Sequence, residues 1–461
     1  VSAEAGPASR EADSKVYPQA DSKVYLKIYQ ALAFLTAFGV LLFLTLRPGL
    51  EGDSQALVEG SVKGLECMQR GQWIRCPEVV GPFAVFQYLP CWILEVFGAS
   101  KELVIHSLAY LSMVTGVFGG WTMFKTLQKR GASLAWFGML LMSGGYWMRY
   151  LNMSFGEMIA SFFTLMFVIS HVSGKSVWKT GAFLFAATLT KDTAFIFLLL
   201  WVWVMRKDAV KLSAAVVAGL LVSAAFNLFR YGTLINHGYT DDVFFVREIG
   251  YQISFFFAQW FSPAGGMLVF WPSFAILLGI VLYTIFRVHA ARKVPGLLVF
   301  AILGGLTLGF SKWYAPLGGS CWGDRFLLPW IPGLSFYALW SYSDEFTRVI
   351  RSWAARPRLF WGVSVGLAVA TFPQYAFLLR QSLIGKVMLP PSCSGLSGFA
   401  YENCRFWHVW PWGIMEFYTP LPRWDLFLLT VFMCSWVIAI CLKMRSQVMH
   451  DIPESLLNPS A

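Results

Sequence analysis

The stretch SKWYAPLGGSCWGDRFLLPWIP, residues 311–332, breaks an oily chain with Gly318, Gly319, Gly323 and an Asp324-Arg325 pair, then resumes with Phe326-Leu327-Leu328. The surroundings give the break its meaning. Of 461 residues, 57% are hydrophobic, 17% aromatic and only 13% charged. That is too little polar surface to close a soluble globule, so the bilayer has to serve as solvent. A span of roughly 20 apolar residues crosses the hydrocarbon as a helix, which satisfies its own backbone hydrogen bonds. The expected fold class is therefore all-α: a polytopic membrane protein.

About twelve such stretches can be counted. They lie near 25–46, 101–124, 132–149, 155–172, 177–190, 193–206, 209–229, 265–286, 295–311, 326–342, 359–379 and 425–443. The fifth and sixth are short and separated by Thr190-Lys191-Asp192-Thr193, a pattern that also fits a re-entrant pair. With a cytoplasmic N-terminus, the basic loops at Lys125–Arg130, Lys175–Lys179, Arg206–Lys211, Arg287–Lys293 and Arg348–Arg358 all fall on one side, as do Lys443 and Arg445. Short loops rich in Lys and Arg stay cytoplasmic, so both termini are expected inside. The net charge of +11 is then that of basic rims against anionic lipid and calls for no nucleic acid.

This division gives a disordered tail (1–24), a membrane domain (25–445) and a C-terminal tail (446–461), with outer segments 47–100, 230–264 and 380–424. The first tail repeats Ala-Asp-Ser-Lys-Val-Tyr at 12–17 and 20–25, and its polar composition predicts no packed structure and no signal peptide. Cys67, Cys76, Cys91, Cys321, Cys393 and Cys404 all fall in outer regions. The near pairs Cys67/Cys76 and Cys393/Cys404 are candidate disulfides in an oxidising compartment; the alternative is that they are small buried apolar residues.

Directly after the first span comes Arg47-Pro48-Gly49-Leu50-Glu51-Gly52-Asp53-Ser54, then a helix-like stretch to Gly64. Asp53 can cap that helix. It can equally act as a general base, since a helix end above the bilayer holds a carboxylate at fixed reach from a lipid-borne substrate. The apolar run 83–98, carrying Tyr88, Trp92 and Phe97, reads as an interfacial helix.

The Gly52-Asp53 setting, the long first outer segment and the dozen spans resemble the GT-C superfamily of integral-membrane glycosyltransferases that use polyprenyl-phosphate sugars. FSPAGGMLVFWP (261–272) and WYAPLGGSCWGDRFLLPWIP (313–332) are similar to the signatures of a bacterial mannosyltransferase-like branch. That branch commonly has proline where this chain has Asp324, an acid able to pair with Arg325. No second Asp-Asp or Asp-x-Asp motif follows in the first loop. The resemblance implies inverting sugar transfer to a hydroxyl on the outer face of a bacterial inner membrane, with Asp53 as base. Some relatives use a divalent ion, here to be held by Asp53 and Glu157. No cofactor is otherwise implied, and the acceptor is unspecified.

An ionised Arg325 at the start of a span is costly unless it faces an aqueous cavity or a partner, and its fork suits phosphate oxygens. An ion pair with Asp324 or Glu157 is the alternative. Lys191, Glu157 and Arg230 sit at the same face and make further substrate-binding candidates, with snorkelling or capping as the plainer roles. Trp313, Tyr314 and Trp322 can stack on a sugar or belong to the interfacial aromatic belt. Asp192, Asp241, Asp242, Arg247 and Glu248 complete the charges on that face. The six histidines show no metal-ligand spacing. Two other classes stay open: a non-catalytic accessory subunit of a membrane complex, and a lipid or solute transporter, for which no internal repeat is visible.

Overall fold

The computed structural model describes residues 52–76, 79, 84–151, 153, 156–191, 195–236, 245–318, 323–379, 390–410 and 424–450. The N-terminal tail, the first predicted span, residues 451–461, Trp322, Cys321, Asp192, Asp241 and Asp242 lie outside the described residues, and helix extends through 446–450, the start of the expected C-terminal tail. Helices α1 to α6 are Gly52–Gln69, Val85–Val96, Lys101–Gln128, Ala132–Ser143, Trp147–Tyr150 and Glu157–Val172. Helices α7 to α12 are Val177–Thr190, Phe195–Met205, Ala209–Tyr231, Ile249–Phe261, Met267–Phe270 and Pro272–Arg287. Helices α13 to α18 are Ala290–Phe310, Ile331–Ser341, Ser343–Ala354, Pro357–Leu379, Gly398–His408 and Trp424–His450. Among the described residues, Phe245 and Trp313 form an isolated β-bridge.

The fold is an all-α membrane bundle. The predicted spans on described residues fall largely on helix, and among the described residues five helices are long and apolar enough to cross a bilayer: within α3, α9, α13, α16 and α18. Helix α3 packs on α4 and α6, α6 on α7 and α14, α7 on α9, and α18 on both α4 and α16. With no hydrophobic drive between helices in lipid, close packing needs small residues at the contacts. An added Cβ at Gly116 of α3 would meet Leu151 and Met158, and one at Gly219 of α9 would meet Thr188 of α7 at 2.8 Å.

Three details differ from the sequence reading. The span at 132–149 is two helices, broken at Gly144-Gly145, where the indole of Trp271 lies against Gly145 and leaves no room for a side chain. The span at 326–342 becomes regular helix only at Ile331, because the prolines at 329 and 332 cannot donate to a preceding turn. The outer segment 230–264 holds a helix, α10, and the helix expected to stop at Gly64 runs on to Gln69.

The two ends of the bundle are built differently. At one end the amphipathic helix α15 buries Phe346, Ile350, Trp353 and Ala354, and the guanidinium of Arg130 lies 4.1 Å from the Trp340 ring. Arg445 Nε donates to the Ala354 carbonyl at 3.1 Å. At the opposite end α1 and α2 pack over the carboxyl end of α9 in a separate apolar cluster containing Leu57, Val58, Tyr88, Cys91, Phe226 and Phe229. A disulfide joins Cys67 to Cys76, and the backbone N–H of Cys76 donates to the Phe229 carbonyl at 2.7 Å. A second disulfide, Cys393 to Cys404, ties the segment before α17 to that helix. Helix α17 docks on α10, with Trp407 Nε1 donating to Ser254 Oγ at 3.0 Å.

Closing a loop of about ten residues with a disulfide restricts the unfolded chain by an amount worth about 2–3 kcal/mol. The double substitution C67S/C76S should therefore lower the melting temperature in detergent and make residues 70–76 the first site of limited proteolysis. An unchanged melting temperature and cleavage pattern would show that the bond carries no such load.

Candidate functional site

The site is organised by Glu157. Its carboxylate opens α6, where the free N–H groups of the first turn favour negative charge, and it is only 1% exposed. A buried carboxylate costs several kcal/mol unless it is paired. Two cations do the pairing, and both use one oxygen. Lys191 Nζ, from the residue that ends α7, donates to Oε1 at 3.1 Å; Arg325 Nε, from the turn before α14, donates to the same Oε1 at 2.8 Å. Oε2 has no hydrogen-bond partner. The two cationic side chains keep an accessible side, 25% for Lys191 and 15% for Arg325.

Each cation is held by more than its charge. Lys191 Nζ lies 5.8 Å from the centre of the Phe326 ring, which stacks on Phe310 at 4.8 Å. Arg325 is fixed through its backbone: its N–H donates to the Leu317 carbonyl at 3.2 Å. Gly318, at φ +95°, lets the chain pass so close that an added Cβ would meet the Arg325 side chain at 2.8 Å. Gly323, at φ +76°, lies flat on Tyr146, whose hydroxyl donates to the Asp324 carbonyl at 2.8 Å. Trp271 packs edge-on against Tyr146 with ring centres 5.1 Å apart. The glycines of the opening stretch thus let the arginine turn fold down onto aromatic side chains.

Asp324 does a different job from the one its position beside Arg325 suggests. Its Oδ1 accepts from the backbone N–H groups of Phe326 and Leu327, at 3.1 and 3.2 Å, and so caps the turn. The ion pair weighed in its place, Arg325 with Glu157, is the one that forms.

The depth of the site follows from helix neighbours. Gly116 of α3 sits against Met158, next to Glu157, and is fifteen residues along the helix from Lys101. At 1.5 Å per residue, the carboxylate lies about 22 Å below the end of α3. Helix α6 begins and α7 ends at this level, where Lys191 meets Glu157, and α2 packs on α7.

The other candidates are placed as follows. Asp53 is in the first turn of α1, at the same end of the bundle, and its side chain lies outside the described residues. Arg230 is buried at the end of α9, where its Nη2 donates to Asn227 Oδ1 at 2.7 Å and its guanidinium lies 4.4 Å from the Phe226 ring. Trp313 packs edge-on against Phe245 at 5.8 Å and against Tyr314 at 5.3 Å, and Tyr314 is exposed. Arg247 and Glu248 lie on an exposed face before α10.

The sequence reading passed over Tyr146 and Arg149. The signal was present as an arginine within the apolar stretch 132–149, and the structure buries it.

Of the two residues expected to hold a divalent ion, the side chain of Asp53 lies outside the described residues, and Glu157 has one oxygen engaged by two cations, whereas such an ion favours several oxygens and little positive charge nearby. Cys393, Cys404 and His408 come within ligand distance of one another, but the two sulfurs are bonded together.

No family model matches the chain, and no curated protein matches it in sequence. Two solved structures are similar to it, both of ArnT from Cupriavidus metallidurans. The apo form is 17% identical, with a TM-score of 0.49 over 93% of this chain and 77% of that one. The form bound to undecaprenyl phosphate is 16% identical over the same shares, with a TM-score of 0.50. The likeness to the undecaprenyl-phosphate-bound form is one of fold, an all-α membrane bundle. At such identities the likeness concerns the architecture, and the chemistry has to be argued from the site.

Removing one partner of a buried ion pair strands the others at a cost of about 3–5 kcal/mol. Glu157→Gln should lower the melting temperature more than Lys191→Met does, because the glutamate holds two cations and the lysine one charge. Equal effects would mean that Glu157 does not organise the site.

Proposed function

We propose that the protein is a membrane glycosyltransferase that moves a sugar from a polyprenyl-phosphate donor to an acceptor hydroxyl, with inversion. The observation that carries this reading is the convergence of Lys191 and Arg325, both partly accessible, on buried Glu157 within an apolar bundle. Two fixed cations suit phosphate oxygens, and the guanidinium can add paired donors. An apolar bundle in the bilayer suits a substrate with a lipid tail. The undecaprenyl phosphate bound by the ArnT structure of similar fold supports the same ligand class.

In this mechanism the donor phosphate lies against Arg325 and Lys191. Asp53 takes the proton of the acceptor hydroxyl, whose oxygen forms the new bond to the anomeric carbon as the bond from that carbon to the phosphate oxygen breaks. Polyprenyl phosphate leaves with the bonding electrons, its charge held by the two cations. Glu157 fixes the cations and takes no part in the proton transfer. Trp313 and Tyr314 serve as stacking surfaces for sugar. The basic end, with Arg130, Arg348 and Arg351, faces the cytoplasm, so that both termini are cytoplasmic and the site opens to the outer face of a bacterial inner membrane. The likeness of residues 313–332 to a mannosyltransferase-like branch makes polyprenyl-phosphate mannose the first donor to assay.

Protein reconstituted in liposomes with labelled donor should release polyprenyl phosphate when extracts of the cell envelope supply acceptor. Asp53→Asn should abolish release while leaving donor binding intact. Arg325→Ala should weaken binding of undecaprenyl phosphate about 10- to 100-fold, the effect of losing a charged hydrogen bond of about 1.5–3 kcal/mol. Unchanged lipid-phosphate affinity in both Arg325→Ala and Lys191→Ala would overturn this assignment of the site.

A further inference from the structure

Four large apolar side chains stand in the open where α9 ends. Trp73 and Ile74 are 64% and 60% exposed at the tip of the loop closed by the Cys67–Cys76 disulfide; Leu234 and Ile235, both 64% exposed, follow the end of α9. The two tips are tied to one element. Arg75 N–H donates to the Leu228 carbonyl at 3.2 Å and Cys76 N–H to the Phe229 carbonyl at 2.7 Å. On the other side, Asn227 Nδ2 donates to the Leu234 carbonyl at 3.3 Å, and Asn227 is itself held by buried Arg230.

This is a stiff arrangement. Arg75 sits at φ +57°, an unfavourable backbone region for a residue with a side chain, which persists only where its surroundings impose it. A disulfide, a buried arginine and a strained turn are a large structural outlay for holding greasy side chains out of the protein.

We propose that Trp73, Ile74, Leu234 and Ile235 form a rigid wedge that inserts into the membrane leaflet at the α1 end of the bundle, at the boundary between headgroups and acyl chains. Three observations favour lipid as the occupant. The tips hang on the last turn of α9, one of the helices long and apolar enough to span, so they lie at the level where that helix leaves the hydrocarbon. The exposed Arg70 and Arg75 flank them, as cations flank apolar residues that anchor at phosphate headgroups. The exposed apolar face of α9 at Val210, Val217 and Leu221 belongs to the same helix and provides a lipid-facing surface below. The wedge would also fix the height of α1 over the bilayer, since the disulfide ties the last turns of α1 to this loop. It does not depend on the proposed activity.

The test uses the full chain in nanodiscs of phosphatidylethanolamine and phosphatidylglycerol, with a nitroxide placed by Leu234→Cys, by Ile74→Cys, or by Glu59→Cys as an exposed reference on α1. Power-saturation spectra in oxygen and in a water-soluble nickel chelate report lipid against aqueous exposure. Labels at 234 and 74 should shift towards oxygen relative to the label at 59. Nickel accessibility equal to that at position 59 would overturn the proposal, and so would shielding from both reagents, which would point to a protein contact. Position 234 alone decides should a cysteine at 74 disturb the neighbouring disulfide.

Discussion

One carboxylate oxygen, Glu157 Oε1, carries more of this structure than any other polar atom described. It joins three chain segments far apart in sequence: the start of α6, the end of α7 and the turn before α14. A buried carboxylate cannot be left alone, and neither cation would be stable at this depth without a counter-charge or water. Mutual need therefore places all three, and it places the cations first. What makes the arrangement useful, on the proposed function, is that a shared carboxylate holds two cations close together where their mutual repulsion would otherwise drive them apart.

Helix lengths set the level of the site. Helix α3 is 28 residues long and α6, which packs on it, is 16. Their difference of twelve residues corresponds to about 18 Å, and it is taken up at the end where Glu157 lies. Helix α7 ends at the same carboxylate where α6 begins. Hydropathy cannot show this, because an apolar stretch reads as a span whether it crosses fully or halts at a buried charge.

Much of the architecture was legible because lipid leaves few choices. Stretches that bury their own backbone bonds have to be helices, and the described spans fall largely on them. The glycines of 318 and 323 marked a close turn, and Glu157, Lys191 and Arg325 were each visible as charges at the ends of apolar runs. Their grouping on one face was legible, but of their direct contacts only the Arg325–Glu157 pair was, since sequence spacing does not say that residues 157, 191 and 325 meet at one oxygen. Asp324 misled for a similar reason: adjacency suggested pairing with Arg325, whereas a side chain in a turn reaches the amides two and three residues on more easily. Helix α10 went unread because its aromatic run, neither long enough to span nor alternating, has no clear period. Arg149 was lost as the end of a span when it is the interior of a fold.

The distribution of rigidity links these observations. The edge-on pair of Trp271 and Tyr146 against Gly323 and the glutamate-centred ion pairs stiffen the site, while the disulfide from Cys67 to Cys76 and the Asn227–Arg230 pair stiffen the rim where α9 ends. Helix α1, which carries Asp53 in its first turn, is held at its far end by that rim and along its length by α2, where Trp92 Nε1 donates to the Ser61 carbonyl at 3.1 Å. On the proposed function, a base on this helix and a phosphate at Lys191 and Arg325 are separated by a distance set through two independent supports. Such a design would tolerate a mobile lipid tail, because the reacting ends would be positioned by protein while the tail remained in the bilayer. Arg230, a substrate-binding candidate in the sequence, contributes to the second support through its bond to Asn227, which in turn holds the Leu234 carbonyl.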